Sequence, residues 1–298
     1  MIRLPLLRRL ALPLVAALAL VPAGTGWARP QTAPAPAEAA AAAPAFAPAR
    51  IELTAPDGRA IDVSVWEAAD ERAVVVFSHG YNGSPAAYRR ILSEWVEAGF
   101  TVVAPLHVDS LRHPRHEEFD GPGAFTTRIV DLAVVRGFVK TAHAGKPMVA
   151  AGHSFGSLMS MIAGGAVTVA GPQGDPAVKA VVAISSAGDL QGVIGPDTYA
   201  GLAAPTLMIT GDEDLVPQYV TDWRAHRSGF DRSPAGDKMM LVFAGGDHSL
   251  IRNADEADFD LIARASTAFI AAHALDDAEA RRTLETLTAP EGVTIERR

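Results

Sequence analysis

The stretch Val149-Ala150-Ala151-Gly152-His153-Ser154-Phe155-Gly156 constrains this chain more than any other. A run of small apolar residues reads as a buried strand, and it stops at Gly152-His153-Ser154-Phe155-Gly156. Leu158, Met159, Met161 and Ile162 then recur at helical spacing. The pattern is strand, very sharp turn and helix, with a serine at the apex. Such a turn forces Ser154 into a strained backbone conformation, and the positions two before and two after must be small. Gly152 and Gly156 meet that demand. A hydroxyl lifted above a sheet beside a helix N-terminus stands where negative charge is stabilised. The competing reading is a chance G-x-S-x-G in a glycine-rich chain, and the flanking strand and helix argue against it.

A serine hydroxyl is a weak nucleophile and needs a base, itself oriented by a third group. The candidate base is His248, after an apolar strand and the glycine turn Ala244-Gly245-Gly246-Asp247. The other reading of His248 is a solvated loop histidine. The candidate acid is Asp214 in Gly211-Asp212-Glu213-Asp214-Leu215-Val216-Pro217, just before the Val-Pro expected to open a helix. Asp212 is its main rival, and Asp189 a more distant one. An oxyanion needs two preset N–H donors. Phe155, directly after the serine, offers one, and Tyr81 in Ser78-His79-Gly80-Tyr81-Asn82-Gly83 offers the second. Tyr81 also reads as a packing aromatic, which is compatible. His79 and His153 read as structural histidines bonding loop backbone.

Around these motifs, apolar strands alternate with amphipathic helices. Ile51–Thr54 and Ile61–Trp66 form a hairpin through Asp57-Gly58. Ala73–Phe77, Thr101–Ala104, Val181–Ile184, Thr206–Ile209 and Met240–Phe243 read as strands buried on both faces. Helices are expected from Ser84-Pro85, from Thr126 to Ala144, after Ser154, and from Asp255. The fold class is therefore α/β: a doubly wound, mostly parallel sheet with an N-terminal antiparallel hairpin and no large cap domain. In such sheets functional groups gather at the carboxyl ends of the strands, where every candidate above sits.

The chain of 298 residues, 49% hydrophobic, divides into four parts. Arg3, Arg8 and Arg9 precede an apolar stretch from Leu10 to Val21, and Gly26-Trp27-Ala28 offers small residues for a peptidase. Residues 1–28 thus read as a signal peptide cleaved after Ala28, with twin-arginine export permitted by Arg8-Arg9. A membrane anchor is the alternative, but Pro13 and Pro22 break a run already short for a span. Residues 29–49, nearly all alanine and proline, read as a disordered linker. Residues 50–275 are the folded α/β domain, and 276–298 a charged C-terminal tail expected to form a peripheral helix and a frayed end. The expected location is secreted or periplasmic. There are no cysteines, so disulfides and cysteine-attached lipids are excluded. With a net charge of −8 and no basic stripe, nucleic acid is not an expected partner. No stable membrane span is expected after signal cleavage.

In its motif order (Ser154, Asp214, His248) the chain resembles the α/β-hydrolase superfamily. His79-Gly80, Gly152 to Gly156, Gly211 to Asp214 and Gly246 to His248 carry the likeness, over roughly residues 50 to 275. Gly80-Tyr81-Asn82-Gly83 and the Gly211-to-Pro217 spacing are similar to secreted esterases of dienelactone-hydrolase, platelet-activating-factor-acetylhydrolase and polyester-hydrolase type. Departures are Ser157 where many members have a second glycine, and no tryptophan after the Ala180–Ser186 strand. Without cysteines, the disulfide common in polyester hydrolases is also missing. These point away from polymer cleavage. The resemblance implies a serine esterase acting on small-molecule or lipid-like esters through an acyl-enzyme, with no cofactor and no metal. An acyltransferase of the same fold and a non-catalytic binding protein are the alternatives. A peptidase of this fold is expected to bring an added domain or cap. The loop Leu106–Phe125 holds His107, His113 and His116 with Asp109, Glu117, Glu118 and Asp120. It reads as a solvated rim, with a zinc-type site as the sharper alternative.

Overall fold

The structure, a computed structural model, describes residues 46–298. The expected signal peptide and all of the linker up to residue 45 lie outside the described residues. The linker ends earlier than its composition suggests. Phe46 stacks on Trp66 with ring centroids 5.9 Å apart, and the first strand begins at Ala49.

Strands β1 (Ala49–Thr54) and β2 (Ala60–Trp66) form the expected hairpin, with Leu53 opposite Ile61 and Gly58 at φ +82° in the turn. Then come β3 (Ala73–Ser78), helix α1 (Arg89–Glu97), β4 (Phe100–Pro105), α2 (Gly121–Ala142), β5 (Met148–His153) and α3 (Phe155–Ala163). A two-residue pair, β6 (Val167–Thr168) and β7 (Gly171–Pro172), precedes β8 (Val178–Ile184) and β9 (Thr206–Gly211). The short α4 (Ser228–Arg232), β10 (Lys238–Phe243), α5 (Leu250–Asn253), α6 (Glu256–Ala274), α7 (Ala278–Thr286) and β11 (Val293–Arg297) complete the chain. The nine-stranded sheet has the order β1-β2-β4-β3-β5-β8-β9-β10-β11. The pairings from β4 through β10 are parallel, and those involving β2 and β11 are antiparallel.

Alternation along the buried strands divides the core. Val75 and Phe77 join α1 and α6 on one face, where Trp95, Phe259, Ile262 and Phe269 are buried. Val74 and Val76 pack on the other face with Phe125, Leu132, Leu158 and Met161 of α2 and α3. Each such side chain is worth about 1.5–3 kcal/mol when removed from water. Nε1 of Trp95 donates to Ser266 Oγ at 3.0 Å, so α1 and α6 are also pinned across the one polar atom of that ring.

Three local expectations are corrected. Helix α2 starts at Gly121, before Thr126, because Asp120 caps it by accepting from Gly123 N at 2.7 Å and Pro122 fills the first turn. No helix opens at Val216-Pro217. The chain closes a small turn there, with Val216 bridged to Val220 and Gln218 at φ +73°. Residues 276–298 hold the expected peripheral helix, α7, but no frayed end. α7 packs on α6, and β11 extends the sheet antiparallel to β10, pairing Met240 with Glu296 and Val242 with Thr294. Val293 and Ile295 face the core side and Thr294 and Glu296 alternate with them, which is how an edge strand keeps one polar face.

Candidate active site

Six parallel strands end on one edge of the sheet, and their following loops deliver the candidate residues. Ser154 stands between β5 and α3 at φ +55°, ψ −121°, a conformation disfavoured for any residue with a Cβ. The turn closes because its neighbours lack side chains. A Cβ on Gly156 would overlap the Ser78 carbonyl, and one on Gly152 would overlap Gly156. The Ser154 amide is held by Ile184 O at 2.9 Å.

His248 arrives from the loop after β10, and its Nε2 lies 2.9 Å from Ser154 Oγ. Its Nδ1 lies 2.7 Å from Oδ1 of Asp214, which is fully buried after β9. Thr210 Oγ1 donates to Asp214 Oδ2 at 2.8 Å. Burial opposes the charge on Asp214, yet hydrogen bonds from His226 and His248 hold it well below the usual carboxylate range. The rival aspartates are placed elsewhere. Asp212 accepts from Gly245 N at 2.7 Å, and Asp189 pairs with Arg232 at 3.1 Å.

The loop after β3 lies against the serine, since a Cβ on Gly80 would stand 3.4 Å from that of Ser154. Tyr81 follows directly, and its ring meets Phe155 edge-on at 6.1 Å between centroids. Among the described residues, neither the Tyr81 nor the Phe155 amide bonds a protein acceptor. Both are free to donate to a ligand, and Phe155 opens α3, where the helix dipole favours negative charge.

Sequence reasoning missed what holds this loop. Arg128 of α2 is fully buried and grips Asp109 with Nε to Oδ1 at 2.8 Å and Nη2 to Oδ2 at 2.7 Å. Its Nη1 donates to His79 O at 2.6 Å, and its guanidinium lies 4.7 Å from the Phe155 ring centroid. Asp109 also accepts from Asn82 N at 3.3 Å. The pair braces both ends of the Tyr81 loop. A signal existed: Arg128 falls three after Phe125 and four before Leu132, on the apolar face. His226 was missed as well. It lies in the turn Trp223–Arg227, fully buried against Asp214.

Two further buried histidines sit at the loop after β3. His79 Nδ1 bonds Gly80 O at 2.7 Å, its Nε2 accepts from His107 N at 3.0 Å, and burial next to Arg128 pushes it down to about 3. His107 Nε2 bonds Ser78 Oγ at 2.8 Å. The 106–125 loop does not gather its ligand-type groups: Asp109 takes Arg128, Glu118 takes Arg115, and Asp120 caps α2. Among the described residues, the one such trio with converging donor atoms is Asp214, His226 and His248. There both rings are already aimed at the carboxylate.

A family model described as serine aminopeptidase, S33, matches residues 69–197, less than half of the chain. That span holds β3 through Ser154 but stops short of Asp214 and His248. The esterase domain of a Rhodothermus marinus protein superposes with a TM-score of 0.55 at 16% identity, covering 76% of this chain and 98% of that one. A puromycin-hydrolyzing peptidase of Mycobacterium tuberculosis superposes with a TM-score of 0.57 at 16% identity, covering 77% of this chain but 39% of that one. No curated protein matches. The sheet order, the serine-bearing turn from β5 into α3 and these likenesses together show the α/β-hydrolase fold.

Proposed function

We propose that the chain is a serine hydrolase that cleaves carboxylic esters through an acyl-enzyme. In this reading His248 Nε2 takes the Ser154 proton as Oγ attacks the ester carbonyl. The amides of Tyr81 and Phe155 receive the oxyanion, and Asp214 stabilises the imidazolium. His248 then returns the proton to the departing alkoxide, leaving Ser154 acylated. Water, deprotonated by the same ring, attacks the acyl group and regenerates the serine. The sequence balances without a cofactor or metal.

The observation that carries the reading is the unbroken line Ser154 Oγ, His248 Nε2, His248 Nδ1, Asp214 Oδ1, with gaps of 2.9 and 2.7 Å. Support for an apolar ester comes from Tyr81, Leu111, Leu215 and Tyr219, all exposed and all on loops that carry or adjoin site residues. The loops between β8 and β10 hold only short helical turns, so no cap covers that edge among the described residues. Replacing Ser154 with alanine should abolish turnover of a short p-nitrophenyl ester. Persisting activity would defeat the assignment.

A peptidase is the second reading, favoured by the aminopeptidase match over residues 69–197. Against it, the peptidase superposition takes in 39% of that chain, while the esterase-domain superposition takes in 98%. Aminoacyl p-nitroanilides compared with p-nitrophenyl esters separate the two. We also read the chain as exported, with a small-molecule or lipid-like ester as its partner. The mature protein should then begin at Arg29 on N-terminal sequencing. Among the described residues no helix is long and apolar enough to cross a membrane.

A further inference from the structure

His226 has no place in the triad chemistry, yet it is fully buried and touches the triad carboxylate. Its Nδ1 lies 2.6 Å from Ser186 O. Its Nε2 lies 2.9 Å from Asp214 O and 3.0 Å from Asp214 Oδ1. Every one of these partners is an acceptor. A neutral imidazole carries one N–H and would turn a lone pair on a carbonyl or carboxylate oxygen. Two ring protons satisfy all three contacts.

We infer that His226 is a resident imidazolium, a positioning residue that fixes Asp214 and shares its charge with His248. The inference rests on the hydrolase reading for its effect on catalysis, though not for the charge itself. The two rings lie nearly parallel, 6.1 Å apart at their centroids, and both reach Oδ1 of Asp214. Burial opposes a charge on His226, but the hydrogen bond and the charge of Asp214 push its pKa above the ordinary histidine value.

The other charged groups nearby are accounted for. On its own turn, Arg224 faces Asp222, and Arg227 faces Asp231 and Glu296. Across His248 stands His153, 4.8 Å away between centroids and kept neutral by burial, with Arg252 the next cation beyond it.

The consequence is electrostatic. At rest Asp214 and His226 form a neutral pair. When His248 accepts the serine proton, two imidazoliums face one carboxylate. His226 therefore holds the carboxylate in place while opposing protonation of the base from solvent, which keeps the serine active to lower pH.

Two measurements test this on the full mature chain. The first is nitrogen–proton NMR of histidine-labelled protein between pH 6 and 8 (roughly the range that brackets ordinary histidine titration). One buried ring should keep both protons throughout, and its signals should vanish in His226→Gln. A singly protonated ring at 226 over that range overturns the inference. The second is the pH profile of fluorophosphonate labelling of Ser154. In His226→Gln the acid limb should move up by about one to two pH units, as for unit charges roughly 6 Å apart at an effective dielectric near 20. A lower plateau with an unmoved limb means a merely structural role and overturns the inference. If His226→Gln does not fold, the parent spectrum decides alone. An unlabelled parent protein defeats the hydrolase reading, while the spectrum still reports the charge on His226.

Discussion

His153 Nε2 lies 2.9 Å from the main-chain oxygen of His248. On its other side, Nδ1 lies 2.9 Å from Tyr88 Oη, which also accepts from Gly80 N at 3.2 Å. Burial pushes His153 down to about 3, so the ring is neutral with its one proton on Nε2. A line of three hydrogen bonds thus ties the Tyr81 loop to the loop carrying His248, across the turn that carries Ser154. The register between Ser154, His248 and the Tyr81 loop is set by side chains outside that trio.

Tyr88→Phe breaks two bonds of that line while keeping the ring packed on Phe77. It leaves the Gly80 amide and His153 Nδ1 without partners, at about 1–3 kcal/mol each. The expected outcome is a kcat lowered by about tenfold, near 1.4 kcal/mol in the barrier, with KM changed much less. Steady-state kinetics on one p-nitrophenyl ester checks it. An unchanged kcat would show that the base loop is positioned by other contacts.

The Arg128–Asp109 pair should respond asymmetrically. Removing one partner strands the other charge in the interior, so Asp109→Ala or Arg128→Ala should lose about 3–5 kcal/mol. For a domain of this size that is a fall in Tm of roughly 10 °C. The double replacement Arg128→Met with Asp109→Leu should recover much of the Tm. It should not recover activity, because the donors to His79 O and Asn82 N's acceptor are both gone. Calorimetry and ester turnover on the three variants read the two effects separately.

Acid should destabilise the fold well before the carboxylates titrate. His79 and His153 are pushed down to about 3 by burial, and the unfolded chain binds a proton near pH 6.5. Between those values the unfolded state holds more protons, so stability is fully present above about pH 6.5 and is lost as pH falls, by about 1.4 kcal/mol per pH unit for each such ring. His226, with its pKa raised, acts in the opposite sense, since its contribution is lost only as pH rises through its folded value. Two rings outweigh one, and Tm should drop steadily from pH 7 to pH 5. His153→Phe should flatten the slope. A Tm flat across that range would rule out neutral buried rings.

The exposed apolar side chains on the loops near Ser154 give a specificity prediction. Tyr81 is 47% exposed, Leu111 63% and Tyr219 65%, and the Leu111 amide bonds Asn82 O at 3.3 Å beside the Tyr81 loop. Apolar surface of this kind should select acyl length at about 0.8 kcal/mol per buried methylene. Leu111→Ser and Tyr219→Ser should each lower kcat/KM for a hexanoate several-fold relative to an acetate. Equal losses on both esters would mean that neither side chain touches the acyl chain.

The sheet and the serine turn were legible because their signals are local. Val74 to Phe77 form an uninterrupted apolar run, and Gly152 and Gly156 mark the one place among the described residues where a strand enters a helix within a residue. His226 was not legible. Its neighbours Asp222, Arg224 and Arg227 make the turn read as solvated, and its partner Asp214 is brought to it by the Val216–Val220 turn, which propensity read as a helix start. Arg128 was half-legible: its spacing puts it inward, but the acceptors that justify burying it come from loops 19 and 49 residues away. The start of α2 was hidden by Gly121-Pro122-Gly123, which reads as a breaker and serves as a first turn under the Asp120 cap.

The C-terminal strand yields the last prediction. β11 pairs with β10 from Met239–Arg297 to Phe243–Val293, and Arg297 reaches back to Leu284 O at 2.7 Å and Leu287 O at 2.8 Å. Glu296 pairs with Arg227, on the turn that carries His226. Truncation after Thr286 would uncover the edge of β10, whose residues are all buried in the intact fold. An open edge of Met239, Leu241 and Phe243 is a template for pairing with other chains. The truncated protein should aggregate on expression, or refold only with exposed apolar surface detectable by dye binding. Glu296→Gln removes one partly exposed ion pair, worth about 0–1 kcal/mol, and should leave the protein soluble. A soluble, cooperative truncation would mean that β11 is dispensable and that the sheet tolerates β10 as its edge. The contrast between the two variants isolates the strand from the ion pair it carries, because only the truncation removes backbone partners from β10.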